Sequence, residues 1–256
     1  MTRWHFRRRN GDQQSIDASN IRRSSITGQT KQAIESIQLV ADGRPIELVN
    51  LFDLSVDDSE NDQVVVEGQL ENVHGLATKH DQGEFQIIGS AGDALACGMV
   101  GGKVTVDGDA GDCVAGPIGS HSSGMSGGLV RVNGSVGAYA GHRMRRGTLV
   151  VKGDAGVMLA ASMVAGTICV GGAVGDNVAV AMKRGSIVLA DGTSLLQQAD
   201  AETAESVGRF SLPTRFDPAF LSLYREPLFR ELTRTLSQLP VFRTRADRNT
   251  GGLGEI

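Results

Sequence analysis

Gly102-Lys103-Val104-Thr105-Val106-Asp107-Gly108 is followed in the chain by Gly128-Leu129-Val130-Arg131-Val132-Asn133-Gly134, Gly147-Thr148-Leu149-Val150-Val151-Lys152-Gly153 and Gly166-Thr167-Ile168-Cys169-Val170-Gly171-Gly172. Gly83 opens the same pattern upstream and Gly185 downstream. The opening glycines 83, 102, 128, 147, 166 and 185 are spaced 19, 26, 19, 19 and 19 residues apart, so one unit is seven residues longer than the rest. A second glycine recurs at 89, 108, 134, 153 and 172, and a third at 92, 111, 137, 156 and 175. Methionine stands three residues before each new unit, at 99, 125, 144, 163 and 182. A fixed period of this length is the signature of a repeat architecture.

Between its first two glycines each unit alternates as a strand does. One inward column runs Phe85, Val104, Val130, Leu149, Ile168, Ile187, and a second runs Ile87, Val106, Val132, Val151, Val170, Leu189. The outward column between them is Gln86, Thr105, Arg131, Val150, Cys169 and Val188, polar early and apolar late. One short strand per unit, with no room for a crossover helix, predicts an all-β chain. Its core is expected to be a single-stranded parallel β-helix, a solenoid of about 19-residue coils, each strand paired with the same strand of the next coil. The glycines are expected at corners requiring φ > 0, and the methionines in the core. The organisation read from the chain is an N-terminal cap region containing β structure over 1–82, the glycine-rich β-helix over 83–192, and a C-terminal helical extension and tail over 193–256. In that extension Phe220, Leu223, Tyr224, Phe229, Leu232 and Leu236 fall at helical spacing behind Asp217 and Pro218. The runs IESIQLV, RPIELVNLF and DQVVVEGQL upstream are strand-like and end near Gly68.

Composition narrows the function. With 256 residues, 34 of them glycine, and a net charge of −4, the chain is long enough for a large core and too acidic for a generic nucleic-acid binder. Cys97, Cys113 and Cys169 form no Cys/His cluster, so neither a disulfide framework nor a metal site is expected. The basic N-terminus MTRWHFRRRNGDQQ has no apolar run behind it, and no 18-residue apolar stretch occurs. A cytoplasmic location with no membrane partner is the expectation.

Several clusters invite a chemical reading. The longer unit carries CVAGPIGSHSSGMSGG, where His121, Ser122 and Ser123 lack the oriented third partner and oxyanion donors of a nucleophilic site; an interaction or spacer loop fits better. Arg145 and Arg146 stand two units before Lys183 and Arg184, which puts two basic pairs about 10 Å apart on one side. That corner suits an anionic ligand tail or an acidic partner. Asp109, Asp112, Asp154 and Asp176 lie in turns, read as turn formers bonded to their own backbone rather than as calcium ligands. Glycine strings such as GDAGDC open no helix and are not a dinucleotide fingerprint. No catalytic residue and no metal ligand emerges.

The G-x5-G-x2-G frame, GPIGSHSSGMSGG, RMRRGTLVVKGDAG, MKRGSIVLADG and the closing RNTGGLGEI together resemble the C-type subunit of formylmethanofuran dehydrogenase. They are still more similar to its counterpart, the gamma subunit of the formyltransferase/hydrolase complex, and the frame is shared with the glycine-rich domain of glutamate synthase. The resemblance implies a non-catalytic scaffold with no cofactor of its own. Its implied partners are an amidohydrolase-like subunit, a formyltransferase subunit and a dehydrogenase-B-like subunit, which together convert formyl-tetrahydromethanopterin to formate through a formylmethanofuran-type carrier. In that setting Val150, Cys169, Val188 and His121 become interface candidates, and Arg145, Arg146, Lys183 and Arg184 contacts to a partner or to an anionic carrier tail. The alternatives are the C-type subunit of a molybdenum or tungsten formylmethanofuran dehydrogenase, or a stand-alone β-helix acyltransferase. The latter needs a six-residue sub-period that a 19-residue unit does not keep.

Overall fold

The computed structural model describes residues 1–9, 14–60, 62–120, 122–193, 195, 209–216, 227–234 and 241–256. In chain order the elements are β1 (Thr2–Arg8), β2 (Ile16–Asp17), α1 (Arg23–Ile26), α2 (Lys31–Glu35), β3 (Gln38–Ala41), β4 (Arg44–Glu47), β5 (Phe52–Asp58), β6 (Gln63–Glu67) and β7 (Val73–His74). Then come β8 (Glu84–Ile88), β9 (Lys103–Val106), β10 (Leu129–Val132), β11 (Thr148–Val151), β12 (Thr167–Val170) and β13 (Ser186–Leu189), one strand from each repeat. The C-terminal part holds β14 (Thr214–Phe216), α3 (Pro227–Arg234), β15 (Val241–Arg243), β16 (Arg245–Ala246) and β17 (Gly254–Glu255). The all-β expectation holds. An open 11-stranded sheet runs β16-β17-β13-β12-β11-β10-β9-β8-β6-β1-β5, parallel throughout except at its two ends.

The register is the one the repeat spacing predicts. Phe85 pairs with Val104, Val104 with Val130, Val130 with Leu149, Leu149 with Ile168, and Ile168 with Ile187. All six are buried. Further columns tie unit to unit away from this sheet. Leu70, Ala91, Ala110, Val136, Ala155 and Val174 form a line of single parallel bridges. Leu76, Leu95, Val114, Ala140, Leu159 and Val178 form another buried column that the alternation did not signal. The five methionines of this column are fully buried, and the Cε of Met99, Met125, Met144 and Met163 lies 2.6–2.9 Å from where a Cβ on Gly128, Gly147, Gly166 and Gly185 would sit. The sheet does not break at residue 83, because β6 continues it in register, Val64 opposite Phe85 and Val66 opposite Ile87. The longer unit leaves its extra residues outside the ladder. Residues 118–120 and 122 are exposed, while the Met125 N–H donates to Ala115 O at 2.9 Å and the Ser126 N–H to Met99 O at 2.8 Å.

The glycine columns divide by cause, which corrects the reading of them all as left-handed corners. The opening glycines do require it, Gly147 having φ +93°. The second and third columns, apart from Gly89 at φ +122°, instead leave room for side-chain oxygen or backbone atoms of the preceding unit. A Cβ on Gly111 would lie 2.1 Å from Asp93 Oδ1, and one on Gly172 2.1 Å from Asp154 Oδ1. Those carboxylates do not bond their own backbone, as expected of turn formers, but reach across to the next unit. Asp109 Oδ1 accepts from the Ser135 N–H at 2.7 Å, Asp112 Oδ1 from Ala138 at 2.7 Å, and Asp154 Oδ1 from Ala173 at 2.8 Å. Much of the left-handed backbone falls on residues other than glycine: Ala94 and Ala96, Cys113 and Ala115, Met158, Ala160 and Ser162, Asn177, Ala179 and Ala181. There the N–H groups point alternately to the following and the preceding unit, Ala94 donating to Asp112 O at 2.7 Å and Ala96 to Leu76 O at 2.9 Å. These inter-unit bonds offset the cost of the conformation.

Both ends of the sheet are closed by the chain itself. At one end β1 lies between β6 and the antiparallel β5, whose Asp53, Asp57 and Asp58 discourage further pairing. A smaller sheet of β4-β3-β2-β7 stands beside it. At the other end the tail supplies part of a further unit. Gly254 lies against the Met182 thioether as Gly185 lies against that of Met163, and the Glu255 N–H donates to Gly185 O at 3.0 Å. The buried Asp247 carboxylate accepts from the Ala181 N–H at 2.9 Å through Oδ2 and from Asn249 at 3.1 Å through Oδ1.

His80 begins the methionine column, with Nε2 where a Cβ on Gly102 would be. Its Nε2 hydrogen-bonds Gly83 O at 3.2 Å, while Nδ1 is buried without a partner. Burial pushes the imidazole below the usual histidine range, opposed by the bond to Gly83 O and the charge of Asp81 and assisted by that of Arg23. The unfolded chain therefore binds this proton more readily than the folded one. Stability is full above about pH 6.5, the ordinary histidine value, and declines as pH falls below it. His80→Met is expected to remove that slope and add about 1 kcal/mol at pH 5.5, as read from urea unfolding at pH 5.5 and 7.5.

Candidate functional site

Arg145, Arg146, Lys183 and Arg184 are all exposed and project from one corner, two units apart along the column. The bonds that hold the corner are backbone bonds: the Arg145 N–H donates to Met125 O, and the Lys183 N–H to Met163 O, each at 2.8 Å. The side chains are left to solvent. Among the described residues the Arg145 side chain reaches Ser123 Oγ, at 3.5 Å, and Arg146, Lys183 and Arg184 meet no carboxylate. On a chain of net charge −4 this is a local reversal of sign.

The corner continues into a groove that the repeat spacing does not reveal. The Leu253 N–H donates to Lys183 O at 2.8 Å, which brings the tail alongside the second basic pair. The groove has a volume of about 690 Å³ and is lined by Ser211, Leu212, Thr214, Arg243, Arg245, Arg248 and the 251–253 turn, with Thr214 paired to Arg243 across β14 and β15. Arg243 is held in place, its guanidinium over the Phe216 ring at 4.5 Å and 3.4 Å from Glu255. Arg245 and Arg248 are exposed and have no carboxylate partner among the described residues. Leu212 and Leu253, 72% and 62% exposed, form an apolar rim. These arginines lie about sixty residues beyond Lys183 in sequence and approach it only through the tail's return to the sheet. Their sequence signal is the spacing in Arg243-Thr244-Arg245-Ala246-Asp247-Arg248.

The apolar outward stripe is corrected by the structure. Val150 and Cys169 are 0% and 1% exposed within this single chain, and Val188 is only partly exposed. Helix α3 packs near β12, and Lys152 beside the stripe lies 3.7 Å from Glu231 of that helix. Burial inside the chain, not a partner, accounts for apolar residues at Val150 and Cys169. His121 lies outside the described residues, as do Asp217, Pro218, Phe220, Leu223, Tyr224 and Leu236 of the expected long helix.

The Cys97 and Cys113 thiols are poor nucleophiles. Burial, reinforced by neighbouring Cys113, pushes the Cys97 thiol up to about 12, and burial with Asp112 and Asp93 raises Cys113. Iodoacetamide at pH 8 is expected to leave Cys97 and Cys169 unmodified in the native protein and to label all three cysteines once it unfolds, as counted by mass spectrometry. Among the described residues no group of three His, Cys, Asp or Glu side chains could hold a metal ion, and no helix is long and apolar enough to cross a membrane. What this geometry offers chemically is a rigid cationic surface suited to carboxylate or other anionic groups.

No protein-family model matches the chain, and no curated protein does. Among solved structures it is similar to a chain in the X-ray crystal structure of the formyltransferase/hydrolase complex (FhcABCD) from Methylorubrum extorquens in complex with methylofuran, at a TM-score of 0.72 and 25% identity. The similarity covers 98% of this chain and 97% of that one.

Proposed function

We propose that this chain is a non-catalytic scaffold subunit of a formyltransferase/hydrolase complex, built on a parallel β-helix. The observation that carries the reading is the end-to-end likeness to a chain of such an assembly, which takes in the cap region, the repeats and the C-terminal tail alike. The bonded columns on several sides of each unit, all at the same period, support the β-helix. A column whose every unit is locked to its neighbours is a stiff support for other subunits. The buried Cys97 thiol, pushed up to about 12, fits a supporting role better than a catalytic one. On this reading the partners are an amidohydrolase-like subunit, a formyltransferase subunit and a dehydrogenase-B-like subunit in the cytoplasm, and the exposed basic corner meets acidic partner surface.

The test is a native pull-down of the full chain from its own cells, with the co-purifying proteins identified and the eluate assayed for formate release from formyl-tetrahydromethanopterin. Recovery of a hydrolase and a formyltransferase with that activity is the expected result. A chain that elutes alone, or one whose partners are molybdenum or tungsten proteins, overturns it.

A further inference from the structure

We infer that the basic corner and the tail groove form one continuous track for an extended acidic segment of a partner protein, with acidic side chains at every second residue. The inference rests on reading this face as a partner contact, though not on the identity of the complex. Three observations carry it.

The first is continuity. Arg145 and Arg146 lead to Lys183 and Arg184 two units on, and the bond from Leu253 N–H to Lys183 O then joins the corner to Arg245 and Arg248. The second is unspent charge. Among the described residues only Arg145 of these six has its side-chain cation within hydrogen-bond distance of a hydroxyl, and none has a carboxylate partner, although the sheet elsewhere pairs its charges, as in Lys103–Glu84 at 3.2 Å. Guanidinium groups bind carboxylates best as two-pronged pairs. The third is shape. The groove is open to solvent, and its lining carries the exposed Leu212 and Leu253 beside the arginines. A strand-like segment repeats the side chains of one face roughly every 7 Å, and rungs of the column stand about 4.8 Å apart. The long basic side chains span the difference. Alternating acids on such a segment face the cations, and small apolar residues between them rest on the leucines.

The test uses the full chain and a fluorescein-labelled peptide, Glu-Ala-Glu-Leu-Glu-Ala-Glu, followed by anisotropy at 50 and 200 mM salt. Binding is expected to weaken at the higher salt and to vanish when glutamine replaces each glutamate. The paired changes Arg245→Ser with Arg248→Ser, and Lys183→Ser with Arg184→Ser, are each expected to weaken it at least tenfold without moving the melting temperature. Equal binding of the glutamine peptide overturns the proposal, as does full binding by either variant. Displacement by citrate at the peptide's own concentration, or tighter binding of a twelve-nucleotide RNA, overturns it in favour of a small anion or a nucleic acid. If the chain co-purifies with its complex and no peptide binds, the track is refuted and the reading as a subunit stands. If the chain purifies alone and the peptide binds, the track stands and the reading as a subunit falls.

Discussion

Gly134→Ala is expected to destabilise the fold by about 3 kcal/mol or more, one of the larger effects a single methyl group can have. The new Cβ would stand 2.2 Å from Asp109 Oδ1 and 2.8 Å from the carbonyl carbon and oxygen of Gly108. The carboxylate can swing aside, but only by abandoning the Ser135 N–H, whose bond is 2.7 Å long. The Gly108 backbone cannot swing aside, because its N–H and C=O are bonded to units on either side. The strain therefore spreads along the column. For a chain of this size the loss corresponds to a fall in melting temperature on the order of 6–12 °C, read by far-UV circular dichroism. Gly192→Ala is the control: its Cβ meets nothing within 4 Å, and its φ is not left-handed. Equal melting of the two variants would refute close approach as the reason for the second glycine column.

Asp247→Ala is expected to cost about 3 kcal/mol, acting at one end of the molecule. The wild-type carboxylate stands in for the next unit that the column lacks. It accepts the Ala181 N–H, whose counterpart in the preceding unit, the Ser162 N–H, donates to Val180 O. Alanine leaves that partly buried N–H without its partner and also removes the bond that shapes the Arg248–Thr250 turn. Because units contact only their neighbours, the damage should be local at first. Hydrogen exchange at Ala181 and Lys183 is expected to accelerate many-fold, while Val132 in the middle of the sheet changes little. Uniform acceleration along the column would mean that the tail is no cap. Asp247→Asn keeps an acceptor oxygen and should recover about half of the loss.

The paired strands were legible because an in-register parallel stack repeats its environment every unit, so the columns through Val104 and Val106 appear as spacings before any coordinate is known. The column through Leu95 and Leu159 was not. It runs through backbone where alternate residues are left-handed, and neither strand nor helix periodicity marks such a segment. The turn positions of Asp109 and Asp154 can be read from the chain, but the partner of each is a whole period away, a distance at which local turn rules say nothing. The candidate site was legible only in half. Arg145 and Lys183 share a period and so reveal each other. Arg245 and Arg248 belong to a segment that leaves the column and returns, and no periodic relation links them to Lys183. The apolar character of Val150 and Cys169 does signal cover, but the covering helix lies beyond the repeat, where spacing alone does not distinguish it from another protein.

The longer unit gives the molecule an address for engineering. Its surplus residues leave the ladder after Gly116 and rejoin it at Gly124 with every downstream pairing unshifted. Chain length at that corner is thus uncoupled from register. Doubling the loop should add only about 0.6 kcal/mol of closure cost. A fluorophore-binding tag or a sensor domain grafted between Ile118 and Ser122 would project beside the sheet at a known position along its strand order.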